Sequence, residues 1–224
     1  MERRVRRMNL KKLVTAAVCT MLMAAVAFTA GCGGEKKSDK KVLKVGMECA
    51  YAPYNWSQTK ADGGAVKIAG SNEYAYGYDV MMAKKLADSM GADLEIHKIE
   101  WDGLAPAVVS GKIDAAIAGM SITSKRKETV DFTKPYYYAT VVALVKKDSE
   151  QAKAQSVADL KGSVATSQLN TIWYDQIDQV PDVKKLPAID TVPGMIVALT
   201  SGKCNLIVTD IPTAKAAAFA NPEL

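Results

Sequence analysis

The chain has 224 residues, of which 49% are hydrophobic and 24% charged, with a net charge of +5. Residues 1–31 hold six cations and one anion, so the 23 basic and 23 acidic residues that follow balance, and the alkaline pI gives no ground for nucleic-acid binding. A single histidine, His97, with no Cys/His cluster offers no zinc-site pattern; Cys49 and Cys204 are too few and too far apart for a disulfide scaffold and read as small buried apolar residues.

The N-terminus comes first in chain order. MERRVRRMNLKK is basic, Leu13 to Ala30 is apolar or small, and Thr29-Ala30-Gly31 precede Cys32, the pattern of a secretory signal over residues 1–31. The apolar run is too short for a membrane span. Small residues directly before a cysteine resemble the lipobox of bacterial lipoproteins, which implies that Cys32 is lipidated and anchors the chain at the outer face of the cell membrane. GGEKKSDKK (33–41) has nothing to bury, so residues 32–41 suit a flexible tether.

From residue 42, short apolar strands alternate with amphipathic helices. The pattern predicts a strand over 42–47, a helix capped by Asp79 with Val80, Ala83, Leu86, Ala87 and Met90 on its apolar face, and a stop at Gly91. It continues with a strand over 94–99, a helix over 102–110 and a strand over 113–118, a βαβαβ series that implies a parallel sheet covered by helices. Residues 58–73 read as a turn-rich insertion or hairpin. PYYYATVVALVKK (135–147) is β-prone, and a second series follows: strand 164–166, a helix over 170–180 capped by Asn170, strand 183–189, a helix from Pro193 to Gly202, strand 206–209, and a helix opened by Asp210-Ile211-Pro212. The economical arrangement is α/β, with lobe 1 over 42–140 and lobe 2 over 141–224.

Several strand ends carry residues suited to a ligand cleft, because ligands in open α/β sheets sit beyond the carboxyl ends of strands. Glu48, Tyr51, Tyr54 and Trp56 follow the first strand and Trp101 a later one; Tyr51 points to the cleft, while Tyr54 and Trp56 suit cleft or core equally. Gly119 lets a ligand approach the backbone, and Ser121 offers a hydroxyl and an amide. Arg126 is the only arginine beyond residue 31, where 22 lysines supply every other basic residue counted above. A guanidinium matches a carboxylate at two points and an ammonium does not, so this position reads as a carboxylate clamp. Asn170 and Thr171 sit at a predicted helix start, where free amides attract anions, and Asp210 is either a helix cap or a ligand acid. A cation, an acid and aromatic walls suit a zwitterion, that is, an amino acid.

YAPYNW (51–56), YGYDVMMAKKLA (76–87), WDGLAPAVVSGKIDAAIAGMSITSKRKETVDFTKPYY (101–137) and ALTSGKCNLIVTD (198–210) together resemble the bacterial extracellular solute-binding proteins of family 3, the amino-acid receptors of ABC importers. The resemblance implies a type II periplasmic-binding-protein fold, two α/β lobes around a cleft. It implies that Arg126 clamps the ligand α-carboxylate with amides of Ser121 and Thr171, that Asp210 takes the α-ammonium with Gly119 and Ser121, that Tyr51 and Trp101 form the walls, and that Glu48 meets the ligand side chain. It further implies a free polar amino acid as ligand, an ABC permease with its ATPase as partners, no cofactor, no metal and no catalysis. Relatives on the same fold include dehydratases of the prephenate or arogenate type, for which Glu48 is the one candidate acid, and ligand-sensing modules. Family members also continue past the equivalent of residue 224 to complete lobe 1, so the expectation is a C-terminally truncated chain lacking its second hinge.

Overall fold

The structure, a computed structural model, describes residues 41–224. The signal over 1–31, Cys32 and all but the last residue of the tether lie outside the described residues. In chain order the strands are β1 (Val42–Met47), β2 (Ala50–Tyr51), β3 (Asn55–Gln58), β4 (Val66–Lys67), β5 (Tyr74–Tyr76), β6 (Asp93–Lys98), β7 (Ala115–Ala116), β8 (Val141–Leu144), β9 (Val164–Thr166), β10 (Lys184–Lys185) and β11 (Leu206–Asp210). The helices are α1 (Tyr78–Met90), α2 (Leu104–Val109), α3 (Ser124–Lys127), α4 (Ile172–Gln176), α5 (Val192–Thr200) and α6 (Ile211–Ala220).

The first alternating series builds a parallel sheet in the order β6-β1-β7, with Val45 opposite both Ile96 and Ala115. Val45, Met47, Ile96 and Leu104 are fully buried between this sheet and its helices. Helix α1 covers it with Val80, Ala83 and Ala87, a narrow stripe of small side chains; Leu86 and Met90, expected on the same face, stay exposed. The expected strand over 113–118 is regular only at β7, an edge of this sheet. The segment over 58–73 is indeed a hairpin, part of an antiparallel sheet in the order β2-β3-β5-β4.

Asp79 does not cap α1. The N-cap is Gly77 at φ 128°, and a Cβ there would lie 2.3 Å from the Tyr54 carbonyl oxygen, so only glycine fits. Asp79 is instead fully buried, accepting hydrogen bonds from Asn55 and Tyr136.

The second series builds a sheet in the order β10-β9-β11-β8, parallel except for β8, which runs antiparallel to β11. The expected strand over 183–189 shortens to β10 because Pro187 has no N–H to continue the ladder. The β-prone run over 135–147 is regular only at β8. Asn170 does not start a helix, since its φ of 53° is left-handed; Thr171 caps α4, and a 3-10 turn over Ile177–Gln179 ends the segment. Asp210 does cap α6, accepting from the Thr213 amide at 2.9 Å.

The two halves share a core. Tyr51 and Tyr54 leave the end of β1 and are buried with Leu144, Met195, Leu199 and Ile207 of the second half. Their rings stack at 4.7 Å, and burial of each aromatic body contributes on the order of 2 kcal/mol. The Tyr54–Gly77 contact holds this crossing segment against α1. Gly77→Ala is therefore expected to lower stability by about 2–4 kcal/mol in urea unfolding, and an unchanged midpoint would contradict the packing described here.

Candidate ligand-binding site

The stretch after β7 turns through Gly119 and Ser121 into the short helix α3, whose cap Thr123 accepts from the Arg126 amide. One turn of helix thus aims the Arg126 side chain back over its own loop. Nη1 donates to the Ser121 carbonyl at 2.7 Å, and Nη2 crosses to the second half and donates to the Asn170 carbonyl at 2.8 Å. The guanidinium carbon sits 5.4 Å from the Trp101 ring centroid, a cation–π stack. Burial pulls the Arg126 pKa below its ordinary value, and Asp175 partly offsets this.

Asn170 makes the crossing possible. Its left-handed backbone turns its carbonyl towards the first half, where it also accepts from Trp101 Nε1 at 3.3 Å, while its side-chain amide donates to Asp102 at 2.9 Å. Asn170, expected to offer an anion-attracting amide, meets Arg126 and Trp101 through its carbonyl.

Two carboxylates lie deeper. Glu48, 4% exposed at the end of β1, accepts from Gln168 Nε2 through both oxygens, at 3.0 and 3.1 Å. Burial pushes its pKa up to about 7; the Gln168 bond opposes this and Glu100 adds to it. Asp210 is fully buried and accepts from the Tyr51 hydroxyl at 2.5 Å, from Tyr54 at 3.4 Å, and from the Thr213 amide and hydroxyl. Burial and this carboxylate push the Tyr51 pKa upward, so the phenol remains a donor.

Tyr51, Trp101, Gly119, Ser121, Arg126 and Thr171 line one cavity of about 10 Å³, together with Gln168, Ile172 and Trp173. Six of the eight expected ligand contacts thus meet at one place. Glu48 reaches it through Gln168, and Asp210 lies behind Tyr51. Of the residues left open, Tyr54 is core and touches Asp210, and Trp56 packs edge-on against Tyr76 in the hairpin.

Gln168 was missed, although it follows β9 as Tyr51 follows β1; the same strand-end rule could have found it. Trp173 carried no separate signal, because its spacing on α4 assigns it to the core, which it also joins. A second cavity of about 640 Å³, lined by residues such as Tyr54, Val108, Ala115, Phe132 and Tyr137, adjoins Tyr51 and Gly119. Among the described residues, no group of three or more His, Cys, Asp or Glu is placed to hold a metal ion, and no helix is long and apolar enough to cross a membrane.

Two mixed α/β units around such a cleft define a class of solute receptors. Residues 43–185 match the bacterial extracellular solute-binding proteins, family 3, and the chain belongs to that family. It is 31% identical over 182 residues to a probable histidine-binding protein of Campylobacter jejuni, covering 81% of this chain and 65% of that protein. It is 29% identical to the ABC transporter arginine-binding protein 1 of Escherichia coli, covering 96% and 77%. Against the Bacillus subtilis arginine-binding protein ArtP the match spans 57% of the relative's length, so the chain covers well under the full length of some relatives. Among solved structures, the arginine-bound truncated ArgBP of T. maritima matches with a TM-score of 0.68 and 30% identity, over 81% of this chain and 79% of that one. An ancestral amino-acid-binding protein described as a precursor of cyclohexadienyl dehydratase matches with a TM-score of 0.68 and 32% identity, over 80% and 74%. The fold is that of type II periplasmic binding proteins, as the resemblance implied.

Gly119 separates backbone strain from contact at this site. Gly91 and Gly119 share a φ of 61°, but a Cβ at Gly119 would lie 2.9 Å from the Tyr51 ring, whereas at Gly91 it meets nothing within 4 Å. Gly91→Ala is expected to lose about 1–2 kcal/mol in thermal unfolding, and Gly119→Ala to lose more and to disturb tyrosine packing. Equal losses would mean that Tyr51 does not press on Gly119.

Proposed function

We propose that the protein is the substrate-binding component of an ABC-type importer, which closes on a free polar amino acid with a cationic side chain and delivers it to a membrane permease. The observation that carries this reading is the gathering of Arg126, Trp101 and the Glu48–Gln168 pair at one cavity between the halves. Arg126 would exchange its two carbonyl partners for the two oxygens of an α-carboxylate, keeping two-point geometry. Asp210, released from Tyr51, would take the α-ammonium, and Glu48 would face the cationic end.

A cavity of about 10 Å³ is the size of one water, so an amino acid enters only if the halves separate. We place that motion at the link between lobe 1 (42–140) and lobe 2 (141–224), where the Ile211 amide meets the Thr140 carbonyl at 3.1 Å. The names of the arginine- and histidine-binding relatives support the ligand class. A signal over 1–31 and lipidation of Cys32 would hold the receptor on the outer face of the membrane beside the permease and its ATPase.

Melting temperature titrated against arginine, lysine, histidine and glutamine tests the reading, and stabilisation by cationic amino acids is expected. Stabilisation only by a sugar, a peptide or a carboxylic acid would overturn it. Arg126→Lys should weaken binding about 100-fold, since truncating one partner of a buried charge pair costs several kcal/mol. The pH dependence has a defined sign. Below pH 7 Glu48 is protonated in the free protein, and a cationic ligand must displace that proton, so affinity falls as pH drops. Arginine binding should weaken about tenfold from pH 8 to pH 6 in calorimetry; Glu48→Gln should flatten the profile, and a wild-type profile already flat would contradict the assignment.

Two observations favour an enzyme as the second reading: the Glu48 carboxyl, buried at the site and pushed up to about 7, is matched to general-acid work at neutral pH, and an ancestral binding protein described as a dehydratase precursor is among the similar structures. Incubation with prephenate or arogenate should give no product, and turnover abolished by Glu48→Gln would establish the enzyme instead.

A further inference from the structure

Outside the ligand contacts, one buried carboxylate gathers both cleft-edge loops of the first half. Asp79, in the first turn of α1, is fully buried. On one side Tyr136 donates its hydroxyl to Asp79 Oδ1 at 2.7 Å and accepts the Gly119 amide at 2.8 Å. On the other side Asn55 donates to Asp79 Oδ2 at 2.7 Å and accepts the Cys49 amide at 2.7 Å. The chain of donation therefore runs inward from two backbone amides and ends on one carboxylate.

Both amides belong to residues with left-handed backbone, Cys49 at φ 57° and Gly119 at φ 61°. For cysteine that conformation is costly and persists only where its surroundings enforce it. Cys49 stands between Glu48 and the Ala50–Tyr51 strand, and Gly119 lines the small cavity two residues before Ser121. The backbone of α1 ties in a third segment, since the Asp79 amide donates to the Tyr54 carbonyl at 2.8 Å. The Tyr78 hydroxyl also holds the Tyr136 carbonyl at 3.2 Å.

We propose that Asp79 is a positioning residue of the ligand cleft, fixing through Asn55 and Tyr136 the two left-handed turns that present Glu48, Tyr51, Gly119 and Ser121. It touches no ligand itself, and its effect on binding rests on the receptor function proposed above. A polar network of this kind specifies geometry only when every member is satisfied, and here each donor has its acceptor. Burial pushes the Asp79 pKa upward, and the Tyr136 and Asn55 bonds partly oppose it. In Asp79→Asn the amide group must face either Tyr136 or Asn55, which reverses or breaks one arm.

Amide hydrogen exchange, resolved by residue, reads the coupling without a ligand. Asp79→Asn should raise exchange at both Cys49 and Gly119 by about tenfold or more, although they lie on different loops, and leave Ile207 in β11 unchanged. Tyr136→Phe, which keeps the ring but removes the hydroxyl, should release Gly119 alone. Arginine affinity should fall about tenfold in each variant. Unchanged Gly119 exchange in Tyr136→Phe would overturn the proposal, as would a uniform rise that includes Ile207 in Asp79→Asn, which marks plain destabilisation. A wild-type protein that binds no amino acid would refute the receptor reading, while the exchange pattern would still decide the coupling of the two loops.

Discussion

A guanidinium carries five donors in one plane, and at Arg126 that plane spans the boundary between the two halves of the molecule. One arm closes on the Ser121 carbonyl of its own loop, the other on the Asn170 carbonyl across the cleft, and Trp101 covers its face. A lysine has donors for a carbonyl, but as a compact point charge it lacks the planar fork that reaches both partners and the flat face that stacks on Trp101. Asn170, Trp101 and the small cavity all meet at this one side chain.

Further hydrogen bonds cross the same boundary: Tyr51 and Tyr54 to Asp210, Glu48 to Gln168, Trp101 to the Asn170 carbonyl, and Asn170 to Asp102. In the proposed binding mode, Asp210, Glu48 and Arg126 each hold a protein group in the ligand's place. Under the proposed function, Asp210 receives hydroxyls in place of an ammonium, Glu48 an amide in place of a cation, and Arg126 carbonyls in place of a carboxylate. A ligand bound in the proposed mode would replace bonds already made, so its affinity would reflect the difference between two satisfied arrangements rather than the sum of new contacts.

Much of this was legible in the sequence because strand ends in α/β folds are where ligands bind, and the chemistry-bearing residues fall at those ends. Arg126 stood out by composition alone, and its clustering with Tyr51, Trp101, Gly119, Ser121 and Thr171 followed from the order of strands. The misreadings have physical causes. Asp79 looks like a cap in sequence, but Gly77 holds a backbone conformation closed to other residues, which moves the helix start and sends Asp79 into the core. Asn170 looks like a cap for the same reason, yet its left-handed backbone hands that role to Thr171. Gln168 stands at a strand end like the other site residues, but its pairing with Glu48 was not legible, because sequence spacing cannot pair residues 120 positions apart.

The central claim is that the Arg126 guanidinium recognises an α-carboxylate. Calorimetric comparison of arginine with argininamide, which keeps the side chain and the α-ammonium but lacks the carboxylate, tests it most directly. The account predicts that the amide binds at least about 100-fold more weakly to the wild-type protein, and that this gap largely disappears in Arg126→Lys. Equal affinities for the two ligands in the wild-type protein would contradict it.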